Sequence, residues 1–289
     1  MPLIYSYDYR PNFIFRNGHV NTIFPYLFRK VKTIFTSRER YNTSDDDFID
    51  LDCIFSNNSR LVILCHGLEG SSDSQYIQHV ASTLSSDKWD VIAINFRSCS
   101  GEMNKQLHMY HSGHTSDLHG VIQFYQNNYQ SISIIGFSLG GNVVLKYVND
   151  DIFDISSKIK SIVGVSVPCD LEGSAEIISH WTNKIYDSGF LKTLKRKLRQ
   201  KHNLFPDEID LGVLSKVSCL YEFDNLFTAP LHGFIDAKDY YTRCNCLQFL
   251  QNVKIPTLLI NALDDPFLST KCYPFDLAKR LKYLYFLAP

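Results

Sequence analysis

The sequence predicts an α/β fold, with a mostly parallel central sheet, helices on both of its faces and one helical insertion. Three observations predict it. Short runs rich in Ile, Leu and Val, bounded by turn residues, recur along the chain. Amphipathic segments of helical length lie between them. That rhythm breaks once, over residues 170–254.

The elements follow in order. "DFIDLDCIF" (47–55) alternates apolar and polar residues, so it is expected as an outer, antiparallel strand where the sheet begins. "RLVILCHG" (60–67), "DVIAINF" (90–96), "SISIIGF" (131–137), "KSIVGVSV" (160–167) and "IPTLLINA" (255–262) are nearly continuous apolar runs. Parallel strands covered on both faces read that way. The segments 74–86, 115–128 and 139–149 have the length and spacing of the intervening helices, and "LKYLYFLAP" (281–289) reads as a last strand. This divides the chain into a first core part (1–169), a helical lid (170–254) and a last core part (255–289). An insertion of that length inside a compact sheet is expected to be a subdomain over the ligand site. It holds a basic run, "LKTLKRKLRQKH" (191–202), expected to be the solvated face of a helix, and an aromatic stretch over 220–245.

Composition narrows the function classes. At 45% hydrophobic and 20% charged residues, the 289-residue chain has a globular balance and ample material for a core. A formal net charge of -1 gives no reason to expect nucleic acid as a partner. The first residues lack a basic start followed by an apolar run, and no stretch is long and apolar enough for stable membrane insertion. The 8 cysteines are scattered, several in strand-like runs, as in a protein of a reducing compartment; a cytoplasmic location is expected. No cofactor and no metal are expected.

Three motifs carry chemistry. "GFSLGG" (136–141) fits G-x-S-x-G between a buried strand and a helix. A sharp turn there lifts the Ser138 side chain above the sheet edge, while the helix N-terminus aims free N–H groups at a developing oxyanion. "CHGLEGSS" (65–72) follows an earlier strand, where an H-G-x-x-G loop can offer a second donor. The expected oxyanion pair is therefore the N–H groups of Leu68 and Leu139, with His66 bracing its loop. "NALDDPFLS" (261–269) places two carboxylates after a late strand; Asp265 is the expected acid and Asp264 the alternative.

With these motifs in view, the chain resembles the YheT-like branch of the α/β-hydrolase family, which includes carboxylesterases and acylglycerol or phospholipid lipases. "NGHVNTIFP", "HGLEGSSDSQY", "NFRSCSGEMN", "YHSGHTSDL", "GFSLGGN", "FDNLFTAPLHGF", "DYY" and "DDPF" follow that branch's motifs in order from residue 17 to residue 267. The resemblance implies an α/β-hydrolase fold, Ser138 as nucleophile, Asp265 as acid, and Leu68 and Leu139 as oxyanion donors. Ser98 stands where the branch has glycine.

A second departure touches the chemistry. The family's triad runs serine, acid, histidine along the chain, yet no histidine follows Asp265. His108, His111, His114, His119 and His232 lie elsewhere, and the resemblance implies none of them as general base. The expected protein is thus a carboxylic ester hydrolase, acting on an acyl ester or monoacylglycerol through an acyl-enzyme on Ser138. Its C-terminus is expected to be truncated after the last strand and its activity impaired. The alternative is a ligand-binding or interaction protein of the same fold without catalysis.

Overall fold

A computed structural model describes residues 3–4, 10–29 and 31–289, so the expectation drawn from the first residues falls partly outside them. Among the described residues the strands are β1 (Leu3–Ile4), β2 (Ser37–Asn42), β3 (Phe48–Ile54), β4 (Arg60–Cys65), β5 (Asp90–Asn95), β6 (Ser131–Phe137), β7 (Ile159–Val165), β8 (Thr257–Ile260) and β9 (Leu284–Leu287). They form one sheet in the order β1-β9-β8-β7-β6-β4-β5-β3-β2. Only the β2–β3 and β3–β5 pairings are antiparallel.

The helices that matter for the site are α1 (Gly18–Phe28), α2 (Gln75–Ser86), α3 (Ser116–Tyr125), α4 (Leu139–Tyr147), α5 (Leu171–Ser179) and α6 (Lys184–His202). Two of the central strands show why both sheet faces are covered. Side chains alternate across a strand, so Val62 and Leu64 of β4 meet Val91 and Ala93 of β5 under Ile77 and Ala81 of α2. Leu61, Ile63 and Cys65 point the other way, into a larger core with Leu118 and Ile122 of α3 and Val143 and Val144 of α4.

The expectation for 47–55 is half right. β3 is antiparallel, but all seven of its residues are buried and the outermost strand is β2. β2, "SRERYN", carries no apolar run that would announce a strand. Its cross-strand register does the work: Arg38 stands opposite Asp52 and Arg40 opposite Asp50. Each guanidinium forks onto its carboxylate, at 2.8 and 2.7 Å for Arg38 and 2.8 and 3.1 Å for Arg40. Such charge also guards the edge against pairing with another sheet.

Between β7 and β8 the described chain contains helices and turns but no strand. The basic run corrects the sequence reading. Arg196 and Arg199 of α6 are exposed, but Lys197 and Lys201 are buried on the same face as Leu191, Leu194 and Leu198. That face docks on the core, so two cations of the run are contacts rather than solvated groups. A buried ionic knot beneath it fixes the loop after β5. Arg97 binds Asp117 of α3 through two bonds of 2.8 Å and reaches Asp45 at 2.7 Å and Asp47 at 3.2 Å.

Candidate active site

Ser138 sits between the end of β6 and the first residue of α4 with φ 50 and ψ −121. An L-residue resists that region, at a cost of roughly 1–3 kcal/mol. The surroundings over-determine it. The Ser138 N–H donates to the Val165 carbonyl of β7 at 2.9 Å, and its carbonyl accepts from Asn142 N–H at 3.1 Å. The flanking glycines let backbone meet backbone. A Cβ on Gly140 would lie 2.6 Å from the Cys65 carbonyl oxygen, and one on Gly136 2.5 Å from that of Gly140. Asn142 then ties α4 to its neighbours. Its Nδ2 donates to the carbonyls of Ser112 (2.8 Å) and Cys244 (2.9 Å), and its Oδ1 accepts from Cys246 N–H (2.9 Å).

The loop after β4 is braced from several sides. His66 is fully buried; its Nδ1 donates to the Gly67 carbonyl (2.7 Å) and its Nε2 accepts from Phe96 N–H (3.2 Å). Both ring nitrogens are taken, and burial pushes the imidazole down to about 4. Gly67 N–H donates to the Tyr76 hydroxyl at 2.9 Å and Glu69 N–H to the Tyr110 hydroxyl at 2.8 Å. Among the described residues the N–H groups of Leu68 and Leu139 donate to no protein acceptor.

Ser138, Leu68 and Leu139 line one cavity of about 120 Å³, whose wall is largely apolar through Leu194, Leu198, Phe223 and Phe227. Asp265 is not part of that wall, although Phe267 and Leu268 of its loop are. Its Oδ1 accepts from Phe267 N–H at 3.0 Å and its Oδ2 from the Ser166 hydroxyl at 2.6 Å. Burial pushes this carboxyl up. Ser166 directly follows Val165, the acceptor of the Ser138 N–H, so acid and serine meet through the end of β7. Asp264 is exposed, and its backbone carbonyl fills the space a Cβ on Gly18 would need.

Sequence reasoning passed over two groups here, Ser166 and Asp224. Ser166, with φ 53, carries only a weak signal, a small residue ending a strand. Asp224 lines the cavity, accepts from the Tyr241 hydroxyl at 2.7 Å and is pushed up to about 6 by burial. His111 and His232 also line it, with ring centroids 4.7 Å apart. The His232 Nδ1 donates to the Thr228 carbonyl at 2.7 Å, and its Nε2 is buried without a partner among the described residues. No group of three or more His, Cys, Asp or Glu among the described residues is placed to hold a metal ion.

Comparison with known proteins agrees with the fold. The family described as alpha/beta hydrolase fold matches residues 60–275. The Escherichia coli (strain K12) protein named "Putative esterase YheT" is 33% identical over 280 residues, covering 93% of this chain and 81% of that protein. A monoacylglycerol lipase of Saccharomyces cerevisiae is 26% identical over 241 residues, covering 79% of this chain and 52% of the lipase. Among solved structures, an esterase of Pyrococcus furiosus shares the fold with a TM-score of 0.58 at 16% identity, over 88% of this chain and 82% of the esterase.

Proposed function

The chain belongs to the alpha/beta-hydrolase family, and on that premise we propose that it is a carboxylic ester hydrolase working through an acyl-enzyme on Ser138. One observation carries the reading: Ser138 shares an apolar cavity with the unpaired N–H groups of Leu68 and Leu139. The Ser138 hydroxyl attacks the acyl carbonyl carbon, and its proton passes to a base. The tetrahedral oxyanion accepts from the two N–H groups, the alcohol leaves with a proton, and water releases the acid from the serine ester. Asp265 is the acid that would orient an imidazolium.

The base is the weak point. No histidine follows Asp265 in the 289 residues, and the Ser166 hydroxyl occupies one oxygen of that carboxyl. His111 and His232 share the cavity, but burial pushes both imidazoles well down, His232 to about 4. Residues 1–289 are therefore expected to attack through a weakly activated Ser138 hydroxyl, with turnover far below that of a complete triad. The cavity, at about 120 Å³, is smaller than the roughly 150 Å³ cavity that holds a benzene. It suits a short acyl chain. A second reading, a binding protein of the same fold without catalysis, takes the Ser166–Asp265 bond as a structural brace between the end of β7 and the loop after β8.

The test is hydrolysis of p-nitrophenyl butyrate and p-nitrophenyl laurate by residues 1–289 beside the Ser138→Ala variant, both shown to be folded by circular dichroism. The expected result is at least a tenfold loss of butyrate turnover in the variant, and butyrate preferred over laurate by a similar factor. Equal rates from the two folded proteins sink the esterase reading in favour of binding.

A further inference from the structure

The oxyanion loop is gripped from the lid. Residues 67–70 close a turn, with Gly70 N–H donating to the Gly67 carbonyl at 3.0 Å and Leu68 and Glu69 in the two central positions. Glu69 takes φ 56. A turn of this kind asks for glycine or asparagine at that place, and a glutamate there relaxes by rotating its peptide unless something holds it. What holds it is a closed set of polar contacts. The Tyr110 hydroxyl accepts from Glu69 N–H at 2.8 Å and donates to Glu69 Oε1 at 3.0 Å. On the same Oε1 lands Lys197 Nζ of α6, at 2.7 Å. The two side chains are only 10% and 5% exposed. Lys197 Nζ also lies 3.1 Å from Cys99 Sγ, a thiol that burial keeps protonated. Glu69 is thus the negative charge this buried ammonium faces.

We propose that Lys197 is a positioning residue of the ester-cleaving site: through its ion pair with Glu69, the lid helix holds the oxyanion loop in the conformation that aims Leu68 N–H into the cavity. This rests on the reading of Leu68 as an oxyanion donor. Lys197 touches neither substrate nor Ser138. It acts on the backbone of a strained turn, and it acts only while α6 is docked, so lid placement and transition-state stabilisation are coupled. The neighbouring wall residues Leu194 and Leu198 come from the same helix, so one docking event shapes the acyl cavity and sets the donor.

The experiment compares the full chain with Lys197→Met, Glu69→Gln, their double variant and Lys197→Arg. Amide hydrogen exchange over peptide 66–71 is the first readout, with peptides of β6 and α4 as internal reference. Lys197→Met should speed exchange in that peptide at least tenfold and leave the reference unchanged. The double variant should add nothing further, and Lys197→Arg should restore most of the protection. The second readout is p-nitrophenyl butyrate turnover, where Lys197→Met should lower kcat about tenfold with KM within twofold. Unchanged exchange in both single variants overturns the clamp. A loosened loop with unchanged kcat overturns its role in positioning. Should Lys197→Met fail to fold, Glu69→Gln keeps the shape of the site and carries the same two readouts. Absence of any Ser138-dependent turnover would instead strike the esterase reading, and exchange would still decide whether Lys197 holds the loop.

Discussion

At Ser138 the backbone is bent against its own preference so that a hydroxyl faces the cavity. Strain of that kind is stored stability, and it can be released. Ser138→Gly should raise the stability read from urea unfolding by about 1 kcal/mol, after allowing for glycine's extra freedom when unfolded, while abolishing turnover. Gly140→Ala should do the opposite, since its Cβ would meet the immovable backbone of Cys65; overpacking of this sort costs roughly 1–3 kcal/mol. A Ser138→Gly variant less stable than the parent would show that the turn is not strained. These two positions were legible in the sequence because a backbone demand leaves a residue-type trace. Glycine is needed where chains touch, so G-x-S-x-G announces itself. Ser98 leaves the same trace in reverse: it holds φ 63 where the resembled branch has glycine, and its hydroxyl bonds Asn104 Oδ1 at 2.6 Å. Ser166 and Glu69 left no readable trace. Their partners stand 99 and 128 residues away, and a hydroxyl or carboxylate in a turn looks alike with or without them.

For whole elements, legibility followed apolar content. Runs such as those of β4 and β5 must be apolar because both faces are buried, and they were readable for that reason. β2 earns its place through two Arg–Asp pairs and reads as a polar loop. α6 shows the complementary failure, because a basic run does not reveal which of its cations is swallowed. Lys201, one turn after Lys197, is fully buried and donates to the carbonyls of Asn104 (2.6 Å) and Gln106. Burial pushes its ammonium down to about 8, against about 10.4 for a free lysine. Between those values the unfolded chain binds more protons, so stability should rise with pH from about 8 toward 10. Urea midpoints of the parent and Lys201→Met at pH 7 and pH 9.5 check this. The parent should gain on the variant at the higher pH, and parallel behaviour would mean that the Lys201 ammonium is not strained by its site.

Across the molecule the same accounting applies to imidazoles, and here it sets the acid limit. His66, His111, His114 and His232 are each held below the ordinary range, by burial first and for His111 by the charge of His232 next, while the bond to the Thr228 carbonyl offsets part of the burial of His232. His114 lies 3.5 Å from Asp117, which offsets part of its burial. A depressed folded imidazole binds fewer protons than its unfolded counterpart, so each contributes stability that is present above about pH 6.5 and drains as pH falls toward the folded value. Two carboxyls work the other way. Asp224 and Asp265 are raised by burial, so the folded state holds protons there that the unfolded state has lost. Asp45, Asp47 and Asp52 are depressed by Arg97, Asn104, Arg38 and backbone donors, and their contribution is lost only below about pH 4. The imidazoles outnumber the raised carboxyls, so the balance between pH 6.5 and 4 is a net loss. Each uncompensated proton is worth about 1.4 kcal/mol per pH unit. His111, His114 and His232 sit together where the loop before α3 meets the segment between β7 and β8, so that junction should yield first. Urea midpoints from pH 7 to 4.5 measure the slope, and His111→Phe should flatten it by about one proton. A slope unchanged in that variant would place the acid sensitivity elsewhere, and a parent whose midpoint holds steady to pH 4.5 would mean that these rings are hydrated rather than packed.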